Sequence, residues 1–171
     1  MTESAGAVTV RWLAMSAPDD HQPGRPLPSD VLVRQVAASD CAPLASELYR
    51  RVGTPWQWTD RQHWTVDEWR AAVDRPGVEL WTLSVGGSLA GYFQLHASDD
   101  DVEIKYFGLL PEWIGRGLGG GLLSRAVDRA WELTPVRVTL NTCSLDHPAA
   151  LANYLARGFR VIRSAARDEG A

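Results

Sequence analysis

Apolar residues alternate with polar ones in some stretches and recur every three or four positions in others, dividing the chain into strands and helices. Val8 to Met15 and Val31 to Val36 carry strand-like runs. Between them Ser16 to Asp30 holds Pro18, Pro23, Pro26 and Pro28, a surface loop or linker. Leu44, Leu48 and Val52 mark one face of a helix that Ser39 can cap and Gly53 can close. Thr65-Val-Asp-Glu68 is a capping box, and the helix it starts should end at Arg75-Pro76-Gly77. Val78 to Val85 and Leu89 to Ala97 flank Gly86-Gly87, a hairpin signal. Asp99 to Asp101 turns the chain into a strand over Val102 to Leu110. Arg116 to Trp131 is an amphipathic helix, with Leu118, Leu122, Ala126 and Ala130 on one face. A strand over Val136 to Thr142, a short helix from Pro148 through Tyr154 and a short strand over Phe159 to Ile162 complete the order. This order predicts an α/β (α+β) fold, a mixed, largely antiparallel sheet flanked by about four helices. It divides into an N-terminal strand and proline-rich loop over residues 1–30 and a main domain over 31–171.

Composition narrows the functional classes. A hydrophobic fraction of 45% and a charged fraction of 22% are ordinary for a globular protein, and 171 residues suffice for one core. A net charge of -4 argues against a nucleic-acid partner. No apolar run reaches the length of a membrane span and no leader pattern opens the chain, which predicts a cytoplasmic protein with no membrane partner. Cys41 and Cys143 read as free, buried thiols. His21, His63, His96 and His147 show no metal-ligand spacing, so no metal is expected.

The most informative segment runs from Leu109 to Leu123, where a strand leads into five glycines and a long helix begins among them. Each glycine costs a helix roughly 1 kcal/mol relative to alanine, so five together imply a use. Glycines let several amides converge on one point, and a helix start adds its own free amides and positive dipole end, which suits a pyrophosphate. A P-loop would need a lysine and a hydroxyl after the last glycine, where Leu122 and Leu123 stand. Gly115, Gly117 and Gly120 match the dinucleotide spacing G-x-G-x-x-G, but the strand from Val136 to Thr142 carries no acid to hold a ribose.

Arg116, Gly119 and Gly121 match the Q/R-x-x-G-x-G/A signature of the GNAT superfamily, which the chain therefore resembles. Tyr154, four residues before Gly158-Phe159, and the run Val102 to Leu109 resemble further family features. The resemblance covers Val31 to Ile162 in element order and implies a single GNAT-like domain that uses acetyl-CoA as co-substrate. It implies that Phe107, Gly108, Leu109, Gly115, Arg116, Gly117, Leu118, Gly119, Gly120, Gly121 and His147 bind the coenzyme. His147 stands where the family often has asparagine, and the chain leaves little room for the family's final strand. Val8 to Met15 is expected to fill that gap, from within the molecule or from the second subunit of a homodimer.

The implied activity is direct acetyl transfer to a primary amine of a small molecule or peptide. An alkylammonium of pKa near 10.4 is neutral about once in a thousand molecules near neutral pH, so a general base helps. Glu103, at the head of its strand, is the candidate base, and Tyr154 is placed by resemblance to protonate the departing thiolate. Glu103 reads equally well as a solvated strand-end carboxylate, and Tyr154 alternatively as a core residue. Trp56, Trp58 and Asp60 fall between the first two helices, where the family shapes its acceptor pocket; packing of the indoles and an Asp60–Arg61 pair are the bland alternative. A non-catalytic acyl-CoA-binding module and a nucleotide-binding protein remain as competing functions.

Overall fold

The computed structural model describes residues 7–167, so the outermost residues of the two expected units, 1–6 and 168–171, lie outside it. Seven strands form one sheet: β1 (Val8–Met15), β2 (Val31–Gln35), β3 (Val78–Val85), β4 (Ser88–Ala97), β5 (Asp101–Leu109), β6 (Arg137–Cys143) and β7 (Arg160–Arg167). Their spatial order is β2-β3-β4-β5-β6-β1-β7. Every neighbouring pair is antiparallel except β5 with β6, which is parallel. Four α-helices flank the sheet: α1 (Ala38–Gly53), α2 (Val66–Val73), α3 (Gly119–Glu132) and α4 (Ala150–Ala156).

Alternation along the strands sends side chains to two cores. Leu48, Tyr49 and Val52 of α1 and Trp69 of α2 pack with Leu80 and Tyr92 on one face. Leu122, Leu123, Ala126 and Val127 of α3 pack with Phe93, Leu95, Ile104 and Val138 on the other, where Tyr154 and Phe159 also lie. The capping box that starts α2 is complete: Glu68 N–H donates to Thr65 Oγ1 at 3.2 Å, and Thr65 N–H to Glu68 Oε2 at 2.6 Å. Gly86 and Gly87 both take positive φ, 56° and 86°, as a two-residue hairpin turn with this twist needs.

Several boundaries differ from the sequence expectation; α1 starts at Ala38 with Ala37, not Ser39, as its N-cap, and α4 starts at Ala150 and not at Pro148. Helix α3 starts at Gly119 and not at Arg116, because Gly115 and Gly117 hold φ of 79° and 78°, outside the helical region. Strand β7 runs to Arg167, well past Ile162, because β1 offers it a partner from Val8↔Arg167 to Ala14↔Arg160. Strand β1 fills the expected gap from within the molecule, although β7 is longer than its own residues suggested. It lies between β6 and β7 in the same chain, with Leu13 and Met15 buried in the core.

The proline-rich segment after β1 crosses the outer side of α3. Gly24 N–H donates to Ser124 Oγ at 2.8 Å, Gln22 N–H to the Arg157 carbonyl at 2.9 Å, and His21 meets Asp128 at 3.1 Å. Leu27 sits so close to α3 that a Cβ at Gly121 would come within 2.6 Å of it. That approach explains one glycine of the five by packing alone.

Candidate functional site

Strands β5 and β6 pair over only three positions, Asp101↔Arg137 to Glu103↔Thr139. Beyond them the strands part. A register shift between Gln94 and Leu95 on the β4 side leaves Lys105 as an extra residue in β5, and such a bulge bends the strand that carries it. Strand β5 keeps β4 as its partner to Leu109, and β6 keeps β1 to Cys143. Backbone N–H groups alternate in direction along a strand, so about half of those from Ile104 to Leu109 face the gap with no strand to meet them.

A cavity of about 530 Å³ fills this gap, a usual size for a small-molecule site. Its walls are the diverging strands, the glycine loop with the start of α3, helix α4, and the loop between α1 and α2. Phe107, Gly108 and Leu109 line it, as do Gly115, Gly117, Leu118, Gly119 and Gly120. The amides of Gly119, Gly120 and Gly121 fall in the first turn of α3, where the helix supplies no acceptor, and the first intrahelical bond is Leu122 N–H to the Leu118 carbonyl at 2.9 Å. A Cβ at Gly120 would stand 2.6 Å from the Arg157 guanidinium, the far end of a flexible side chain that could move aside.

Tyr154 lines the cavity from α4 and is 8% exposed, its ring edge-on to Phe107 and Phe159. Desolvation, with a smaller effect of the Asp146 charge, pushes its phenol well above the usual range, so it keeps its proton at any working pH. His147 also lines the cavity; its Nδ1 accepts from Ala149 N–H at 3.0 Å and its ring meets Trp56 edge-on at 4.9 Å.

Three expected residues stand off the cavity wall. Glu103 lies behind it, 3.6 Å from Lys105 Nζ and accepting from Asn141 Nδ2 at 3.4 Å; both of these partners do line the cavity. The Arg116 guanidinium folds back over the Trp113 ring at 4.6 Å, and Gly121 faces Leu27.

The α1–α2 loop closes the remaining side. Trp56, Trp58 and Asp60 all line the cavity. The Trp58 ring packs against Tyr49 and Tyr106 at 5.6 and 5.7 Å, and its Nε1–H donates to Asp146 Oδ1 at 3.2 Å. Asp146 also accepts from Thr142 Oγ1 at 2.5 Å and from Cys143 N–H at 3.0 Å. Successive residues of the β6–α4 loop, Asp146 and His147, thus hold Trp58 and Trp56 and tie the two sides of the cleft together. Trp64 and Trp69 pack on one another at 5.1 Å, and Trp69 is 1% exposed. The suspected Asp60–Arg61 ion pair is absent among the described residues.

Sequence reasoning missed Asp146, Asn153, Tyr49, Tyr106 and Arg61, all of which line the cavity. Asn153 stands 3.7 Å from where a Cβ at Gly119 would be, so an asparagine does approach the glycine loop, from beside Tyr154 and not from position 147. Its place next to Tyr154 on a short helix was the available signal. Tyr49 and Tyr106 lie in apolar periodic runs that read as core, and nothing in the sequence marks Asp146. Among the described residues no group of three or more His, Cys, Asp or Glu is placed to hold a metal, and no helix is long and apolar enough to cross a membrane.

Comparisons with known proteins agree with this geometry. The sequence model of the "Acetyltransferase (GNAT) family" matches residues 43–159. A Bacillus subtilis (strain 168) protein described as "Putative ribosomal protein bS18-alanine N-acetyltransferase" is 30% identical over 87 residues, 50% of this chain and 58% of that protein. The match thus spans little more than half the length of that relative. Among solved structures, a GCN5-related N-acetyltransferase from Sphaerobacter thermophilus superposes with a TM-score of 0.73 at 16% identity, covering 94% of this chain and 50% of that one. An aminoglycoside acetyltransferase from an uncultured soil metagenomic sample, in complex with trehalose, gives 0.62 at 13% identity, covering 75% and 87%. At these identities the structural matches establish the fold.

Two outcomes follow from the site's packing. Asp146→Ala removes the acceptor of Trp58, Thr142 and Cys143 and should cost about 2–3 kcal/mol in urea unfolding. It should also speed amide hydrogen exchange across residues 54–64; unchanged exchange there would mean the loop is held by other contacts. His96 Nε2 lies 2.7 Å from Gln94 Nε2, a contact that a neutral ring accepts. Burial first, then the charges of Lys105, Arg75 and Arg61, lower its pKa from 6.5 to about 4. Between those values the unfolded chain binds the extra proton, so this contribution is complete above pH 6.5 and is lost as pH falls toward 4. His96→Gln should flatten that part of the stability profile, and an unaltered slope would contradict a buried neutral ring.

Proposed function

The chain belongs to the acetyltransferase (GNAT) family, and from that premise we propose that it is an N-acetyltransferase, moving an acetyl group from acetyl-CoA directly to a primary amine. The observation that carries the reading is the convergence on one cavity of the glycine loop, the open edge of β5 and Tyr154. Free amides at the start of α3, with Asn153 and Arg157 beside them, suit the coenzyme's pyrophosphate. The arm of the coenzyme then lies between β5 and β6, its amide groups meeting strand edges that have no other partner.

The thioester carbonyl lies against the free β5 amides near Phe107 to Leu109, which stabilise the oxyanion as the amine attacks. A C–N bond forms and the C–S bond breaks, so the sulfur leaves with a negative charge. Tyr154 donates to that sulfur; with its phenolate strongly disfavoured by burial, it acts as a hydrogen-bond donor through which the proton is delivered. The proton shed by the amine passes to Glu103 through a water between Lys105 and Asn141, because Glu103 stands behind the cavity wall. The products are the acetylated amine and the coenzyme thiol. The acceptor is a small molecule or a peptide amine entering between Trp56, Trp58 and Asp60.

Binding without turnover is the competing reading, and the place of Glu103 behind the cavity wall is the observation that favours it. Release of coenzyme thiol in the presence of acetyl-CoA and a panel of primary amines, including a peptide that begins with alanine, distinguishes the two. Turnover is expected with at least one amine, and Tyr154→Phe should lower kcat by about 10²-fold with little change in the KM for acetyl-CoA. Thiol release no faster than hydrolysis across the panel would support the binding module.

A further inference from the structure

Arg61 is held in the acceptor end of the cavity in a way that no element of the fold requires. Its backbone N–H donates to the Tyr49 hydroxyl at 3.2 Å, which fixes where the side chain begins. Its guanidinium lies over the Trp64 ring at 4.8 Å and the Tyr106 ring at 5.6 Å. No carboxylate stands within 4.0 Å of it among the described residues. Tyr106, whose ring helps carry it, leaves its own buried hydroxyl without a partner. Aromatic faces hold a guanidinium in one orientation while leaving its in-plane N–H groups available, and arginine loses its hydration more readily than lysine.

Of the other charged residues lining the cavity, Asp146 and Lys105 are committed to neighbours, while Asp60 and Arg167 have no ion-pair partner among the described residues. Asp146 spends its oxygens on Trp58, Thr142 and Cys143. Lys105 lies 3.6 Å from Glu103. Asp60, next to Arg61 on the same loop, lines the cavity with no ion-pair partner among the described residues and gives this end a negative charge as well. Asp60 repels a dianionic phosphate about twice as strongly as a carboxylate monoanion, while the guanidinium can hold either in bidentate geometry, so the smaller charge is favoured here.

Resting on the acetyltransferase reading, we infer that the acceptor is an amine that also carries a carboxylate, such as an amino acid or the carboxyl-terminated residue of a short peptide, and that Arg61 recognises that carboxylate. Arg61 is then a specificity-determining residue for the acceptor and has no part in coenzyme binding.

The test uses matched acceptors that differ only in carboxylate against carboxamide: glycine and glycinamide, β-alanine and β-alaninamide, and a dipeptide free or amidated, with O-phosphoethanolamine added. Rates are read as thiol release with acetyl-CoA. Binding is read separately by calorimetric titration of the same compounds into the protein–CoA complex. The carboxylate of at least one pair should exceed its amide by about tenfold in kcat/KM or in affinity. Arg61→Gln should bring that ratio below about twofold while the affinity for acetyl-CoA is kept, and Arg61→Lys should restore part of it. Amides preferred or equal in every pair, a preference for the phosphate, or an Arg61→Gln variant that loses carboxylate and amide alike would overturn the inference. Carboxylate-selective binding with no turnover would support the inference while refuting the transferase reading.

Discussion

The parting of β5 from β6 is the constraint on which the rest of the molecule depends. Three paired positions hold the strands together, and past Glu103 and Thr139 each strand keeps a partner only on its far side. Leaving strand edges unpaired inside a sheet is costly unless something else meets the amides and carbonyls. The bulge at Lys105 bends β5 away, and the β4 and β1 ladders keep both strands extended while the gap stays open. Strand β1 matters here because it backs β6 along most of its length. The cleft is then a place where a ligand's amide groups can complete a ladder that the protein leaves unfinished.

The glycines beside this gap serve different ends. Gly115 and Gly117 turn the chain through positive φ, Gly120 lies beside the Arg157 guanidinium, and Gly121 admits Leu27 from the segment after β1. Only part of the glycine signature therefore faces the cavity; the remainder seats the N-terminal segment on α3. The helix that presents free amides to the cleft is also the helix over which residues 16–30 are laid. Across the cleft, the tie from Trp58 to Asp146 joins the α1–α2 loop to the turn before α4, so two walls of the cavity are braced by one carboxylate.

Much of this was legible in the sequence because it rests on local rules. The capping box at Thr65, the Gly86-Gly87 turn and the α3 stripe each follow from spacing alone, and Tyr154 and most of the glycine loop line one cavity. What was not legible depends on contacts between distant residues. Trp58 and Asp146 are 88 positions apart, and neither has a neighbour that announces the other. Glu103 heads its strand as read, yet its place off the cavity wall and its contact with Asn141 on a different strand could not be read. Arg61 follows Asp60 and reads as its partner, while the structure turns it onto the rings of Trp64 and Tyr106. The length of β7 could not be read from its own residues because β1 determines it.

The central claim is that this cleft is a coenzyme A site. Calorimetric titration of the purified protein with acetyl-CoA, with NAD and ATP as controls, tests it most directly. The account predicts saturable binding of acetyl-CoA and none of comparable strength for the controls. Gly119→Glu should abolish it with the circular dichroism spectrum intact, because Gly119 has space for a side chain but not for a negative charge beside a pyrophosphate. A folded protein that binds no coenzyme A species, or whose binding is unaffected by Gly119→Glu, would contradict the account.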